Sequence, residues 1–165
     1  MYPIRLTQEE IKKHIHRLME GDFHAEAFIA SVAVIERVLR RTLRQLIISA
    51  GFKSTIADKL IRRASGLNGI QEAWEIYDPQ HRKLKDILGD EAVKTINEAG
   101  EKRNKLVHGQ RVFKPGDYET EVNKLLDVLQ VITDTFEKHY GYNGWEKARR
   151  RNKSVLHTDP KVKKS

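Results

Sequence analysis

The chain has 165 residues, of which 31 are Lys or Arg, 23 Asp or Glu and seven His, with no cysteine and a hydrophobic fraction of 39%. This supports one packed domain and excludes disulfide frameworks, thiolate zinc sites, iron–sulfur clusters and cysteine nucleophiles. The longest apolar stretch, Phe28 to Ile35, is broken by Ser31 and falls far short of the roughly 20 residues of a bilayer span. Neither a signal nor a transit peptide shows in Met1 to Glu20, so a cytoplasmic address away from membranes is expected.

Thr7 and Glu10 form a capping box, with Leu6 and Ile11 as its hydrophobic staple, and predict a first helix from Thr7 to about Met19. Gly21 breaks it, and Asp22 is placed to cap a second helix running to about Ser49, near 40 Å long at about 1.5 Å per residue. On its wheel Phe28, Val32, Ile35, Leu39, Leu43 and Leu46 share one side, and Arg37, Arg40, Arg41 and Arg44 the other. Glu36 interrupts the apolar arc. Ser54 is placed to cap a shorter helix through Ala64, Gly66, Asn68 and Gly69 read as a loop, and Ile70 to Tyr77 as a brief helix ended by Asp78-Pro79. A further helix spans Asp90 to the Gly109 stop, and Pro115-Gly116-Asp117 opens the last one. There Tyr118, Val122, Leu125, Leu129, Ile132 and Phe136 follow spacings of four and three, the pattern of a bundle seam. No alternating strand pattern stands out. The predicted fold is all-α, an antiparallel up-down helical bundle of about five to six helices.

The formal net charge is +8, and residues 145–165 hold eight Lys or Arg against Glu146 and Asp159, a local +6 that leaves only +2 on the rest. The expected division is therefore a bundle over residues 1–144 and a basic, flexible tail over 145–165. Arg149, Arg150 and Arg151 in the tail, and the Arg37, Arg40, Arg41, Arg44 stripe, are candidate phosphate contacts. A solubilising extension and a solvated helix face are the plainer alternatives.

The most informative segment is Glu101 to Gly109. Ala92, Val93, Ile96, Ala99, Gly100, Leu106 and Val107 make an apolar arc on its helix, and Arg103 lies in the middle of it. Removing a guanidinium from water without a partner costs several kcal/mol, so Arg103 must be paired or face a wet cleft. Beside it Asn97, Asn104 and His108 form a polar stripe, with Asn104 and His108 at contact spacing. Gly109 leaves His108 at the helix end, where an imidazole stays near solvent and can exchange protons near neutral pH. Glu36 and Arg103, each a charge on an apolar face, are a candidate pair. The alternative is a partner elsewhere, such as Arg62 or a tyrosine hydroxyl.

Arg103-Asn104 followed by His108-Gly109 resembles the R-x4-6-H signature of the HEPN superfamily, in its Arg-Asn-x-x-x-His form. The resemblance takes in the helix that carries the motif, the long second helix and the helix that follows, nearly all of residues 7 to 140. It implies an α-helical bundle with the activity of a metal-independent endoribonuclease, of toxin or phage-defence type. It also implies a homodimer whose two motifs line one cleft, and leaves room for an antitoxin or regulatory protein partner. No cofactor or metal is implied. On this resemblance His108 is the general base or acid, Arg103 the phosphate and transition-state clamp, and Asn104 the group that orients His108 or the phosphate, with Glu36 in support. Other members act without catalysis as RNA-binding or protein-interaction modules, which is the alternative function here. A basic DNA-binding bundle is a third.

The remaining signals are weaker. His14 and His16 point in nearly opposite directions on a helix, and the other histidines have no ligand spacing around them. Neither GxGxxG nor GxxxxGK[ST] occurs, which removes the common phosphate-cradling loops.

Overall fold

The computed structural model describes residues 6–156. They form α1 (Gln8–Glu20), α2 (His24–Ser49), α3 (Ser54–Arg63), α4 (Gly66–Tyr77), the single-turn α5 (Leu84–Leu88), α6 (Asp90–Val107) and α7 (Tyr118–Tyr140), with a 3-10 turn at Pro115–Asp117. No strand occurs among the described residues, and no helix there is long and apolar enough to cross a membrane. The chain is an all-α bundle organised around α2, which packs against α1, α3, α4, α6 and α7.

Local chemistry explains most of these boundaries. Thr7 Oγ1 accepts from the Glu10 amide at 3.2 Å and Glu10 Oε2 accepts from the Thr7 amide at 2.7 Å, closing the expected capping box. Asp22 does not cap α2. It adopts φ 62°, Phe23 takes the cap position, and the Asp22 carboxylate lies 3.4 Å from His24 Nε2. Ser54 is likewise the first residue of α3 and not its cap. The glycine-rich stretch expected to be a loop is instead the first turn of α4, and α5 has no counterpart in the sequence pattern.

The expected seams are the core. Phe28, Val32, Ile35, Leu39, Leu43 and Leu46 of α2 are buried against Val122, Leu125, Leu129, Ile132 and Phe136 of α7, Ile96 and Ala99 of α6, and Ile70 and Trp74 of α4. Trp74 stacks on Phe136 at 5.0 Å and donates to Tyr140 Oη at 3.0 Å. Tyr140 in turn donates to the buried Asp78 carboxylate at 2.7 Å, which also receives Arg82 side-chain bonds to both oxygens at 3.1 Å. One polar network thus ties the end of α4 to the end of α7.

The C-terminal segment departs from expectation. Residues 145–156 are not a free tail: they lie as a strap across the corner of α2 and α3. Gly144, at φ 86°, brings the chain so close to α2 that a Cβ would sit 2.9 Å from the Val38 carbonyl oxygen. Trp145 then donates to Thr133 Oγ1 at 3.1 Å. The Ser54 amide donates to the Arg151 carbonyl at 2.9 Å, the Arg151 amide to Ser54 Oγ at 2.8 Å, and the Val155 amide to the Gly51 carbonyl at 2.8 Å. Edge backbone groups that would otherwise need water are satisfied this way. The rest of the predicted tail, 157–165, lies outside the described residues.

Candidate functional site

α6 presents the motif. Its inner face is fixed by Val93, Ile96 and Ala99 in the core, which turns Arg103 toward α2. Arg103 Nη2 donates to Glu36 Oε2 at 3.4 Å, and the other oxygen of the same carboxylate lies 3.3 Å from Arg40 Nη2. Glu36 therefore bridges two guanidiniums, with 20% of its side chain exposed against 25% for Arg103. Arg40 is held from its far side by the Ile61 carbonyl at 3.1 Å. Arg103 Nε is buried and has no hydrogen-bond partner. The Glu36–Arg103 pair was one of two alternatives left open by the residues; the geometry selects it.

Arg103 lies where two cavities meet. One, of about 430 Å³ between α2 and α3, is lined by Glu36, Arg37, Arg40, Arg41, Arg44 and Arg103. The other, of about 210 Å³ between α4 and α6, is lined by Arg103, Asn104, Asn97, Asn68, Ser65 and Glu101 among others. Gly100 sets the spacing of the second: a Cβ there would meet Leu67 Cδ1 at 2.7 Å. Asn97 exchanges amide hydrogen bonds with Gln71, whereas the Asn68 and Asn104 side chains are exposed.

His108 is exposed at the C-cap of α6, its amide donating to the Asn104 carbonyl at 3.2 Å. Gly109, at φ 76°, closes the helix with its amide on the Leu106 carbonyl at 2.9 Å. The histidine lines neither cavity. Val107, assigned to the apolar arc by periodicity, is 61% exposed, whereas Leu106 beside it packs against the core.

The arginine stripe is not an idle solvated face. Arg41 donates to the Glu146 carbonyl, and Arg44 pairs with Asp58 at 2.6 Å and reaches the Arg149 carbonyl at 3.4 Å. Burial, followed by the nearby Arg41 charge, pushes the Arg37 guanidinium below its usual pKa. Of the strap arginines, Arg151 donates from Nε to the Ile48 carbonyl at 3.2 Å, while Arg149 and Arg150 are exposed. Arg44, Arg150 and Arg151 line a third cavity of about 360 Å³ with Ser54, Thr55 and Asp58.

The structure thus gathers Glu36, the α2 arginines and Arg103 around one cavity, and Arg103 with Asn104 around another, and leaves His108 on the adjoining surface. Ser65, Asn68 and Asp58 escaped sequence reasoning. Asn68 falls in a stretch whose composition predicts a loop, and the place of Asp58 depends on how α3 docks. Among the described residues no three His, Asp or Glu side chains gather closely enough to hold a metal ion. Comparison with protein-family models, curated proteins and solved structures returns no significant match.

Proposed function

We propose that the chain is a metal-independent endoribonuclease of HEPN type, a toxin or defence effector that works as a homodimer, with an antitoxin or regulatory protein as a further partner. One observation carries this reading. The Arg103 guanidinium is steadied by Glu36 at the junction of two cavities, on the same helix end that exposes Asn104 and His108.

The chemistry asks little beyond these groups. The 2′-oxygen of RNA attacks the adjacent phosphorus and the P–O5′ bond breaks, giving a 2′,3′-cyclic phosphate and a 5′-hydroxyl. A base takes the 2′-hydroxyl proton and an acid supplies one to the departing O5′. Arg103 offsets the charge that builds on the non-bridging oxygens. Asn104 orients the phosphate or the imidazole one turn away. Each chain brings one His108, so two copies provide both base and acid.

The test is incubation of the protein and its His108→Ala variant with mixed RNA in the presence of chelator. The wild type is expected to leave cyclic-phosphate ends and to spare an all-DNA strand of the same sequence, which lacks the attacking hydroxyl. The variant is expected to be slower by about 100-fold or more. Equal RNA survival in both favours the second reading, a non-catalytic HEPN-like module that binds RNA or a protein partner. The position of His108 outside both cavities is the observation on its side.

A further inference from the structure

The three cavities described above share their walls. The α4–α6 cavity and the α2–α3 cavity have Arg103 in common, and the α2–α3 cavity shares Arg44 with the one beneath the strap. Arg103 and Arg44 each stand between two neighbouring depressions and so place the three in sequence. Seven arginines line these depressions against three carboxylates, Glu36, Asp58 and Glu101, a local net charge of +4 beside the chain's formal net charge of +8. Two of those carboxylates are already matched, Glu36 by Arg103 and Arg40, and Asp58 by Arg44. At the strap end the Arg150 side chain is exposed and forms no hydrogen bond or ion pair among the described residues.

The two ends differ in chemistry. The strap end is cationic and suits phosphate. The α4–α6 end carries a single arginine, the Glu101 carboxylate and the open amides of Asn68 and Asn104. An amide offers a donor and an acceptor side by side, the pattern on the edge of a nucleobase. A base can enter such a cavity only if it is unpaired.

We propose that these depressions form one track that binds single-stranded RNA, with successive phosphates along Arg103, the α2 arginines and Arg150, and one base seated between α4 and α6 against Asn68 and Asn104. The choice of RNA rests on the ribonuclease reading above; the track itself does not. None of the residues lining it is aromatic, so base stacking contributes little. Affinity then comes chiefly from phosphate neutralisation and falls steeply with salt, at about 0.7 in log–log slope per phosphate of a single strand.

The experiment uses the full chain and 2′-O-methyl strands of roughly 12 nucleotides, within the usual span of single-strand sites, which lack the attacking hydroxyl and survive. Binding of A, C and U homopolymers and of a mixed duplex is followed from about 50 to 200 mM salt. A single strand is expected to bind at least tenfold more tightly than the duplex. Arg150→Ala is expected to lower the salt slope by about 0.7, and Arg17→Ala, at an exposed position on α1, to leave it unchanged. Asn68→Ala is expected to alter the ranking of the three homopolymers without altering the slope. Absence of binding, equal affinity for duplex, or equal slopes for the Arg150 and Arg17 variants overturns the track. Absence of any base ranking in the wild type overturns the base site. Binding as described with ordinary RNA left intact sinks the nuclease reading and spares the track; cleavage with an unmoved slope does the reverse.

Discussion

Glu36 serves two guanidiniums with one carboxylate, and both are partly withdrawn from water. Removing it strands Arg103, whose Nε already lacks a partner. Breaking a fully buried pair from one side costs about 3–5 kcal/mol, and partial exposure here reduces that to about 1–2 kcal/mol for Glu36→Ala by urea unfolding. Glu36→Gln keeps an acceptor and is expected to recover part of the loss. If Glu36 positions the clamp, the Gln variant also slows cleavage about tenfold while the salt slope of binding holds, a separation that a merely structural role does not produce. That Glu36 and Arg103 each need a partner was legible in the sequence, because each interrupts an otherwise apolar face; that they serve each other was one of two alternatives the residues left open. The bonds of Arg41 and Arg44 to carbonyls of the strap were not legible, since backbone acceptors are the same at every residue and leave no trace in composition.

The junction of α4 and α7 turns on Asp78. Burial alone would raise its carboxyl pKa, but hydrogen bonds from the Arg82 side chain, the Tyr140 hydroxyl and the Arg82 and Gln80 amides outweigh it and hold the group well below the usual carboxylate range. The unfolded chain titrates Asp near about 3.9. With the folded pKa depressed, the network's stabilisation is fully present above about pH 5 and fades as pH falls below about 4. Asp78→Asn is expected to lose about 2–3 kcal/mol at neutral pH and to show a flatter decline of stability with acid, as measured by denaturant titration at a series of pH values. Tyr140, pushed upward by burial and then by Asp78, stays protonated as a donor throughout. The long elements here were readable from spacing alone, as the α2 and α7 seams show. α5 was not, because five residues are too few to display a period. The first turn of α4 was missed because Gly66, Asn68 and Gly69 are poor helix formers that tertiary contacts nonetheless hold in place.

At the scale of the whole molecule, the strap belongs to the fold. Truncation after Gly144 removes the Trp145–Thr133 bond and the reciprocal pair at Ser54 and Arg151, and uncovers the α2–α3 corner. Thermal unfolding of the shortened chain is expected to fall by about 6 °C, corresponding to about 2 kcal/mol for a domain of this size. The all-α class followed from the absence of alternation and from two strong seams. The docking of residues 145–156 did not, since a charged segment without periodic apolar residues carries the composition of a solvated extension. Its attachment rests on one tryptophan and on hydrogen bonds in most of which a strap or helix backbone group is one partner.

Translation gives this arrangement a direction in time. Helices α1 to α4 and α6, with Arg103 and the α2 arginines, leave the ribosome before the segment bearing Arg150 and Arg151 has been made. A nascent chain still tethered to its own messenger therefore lacks one wall of the cationic path.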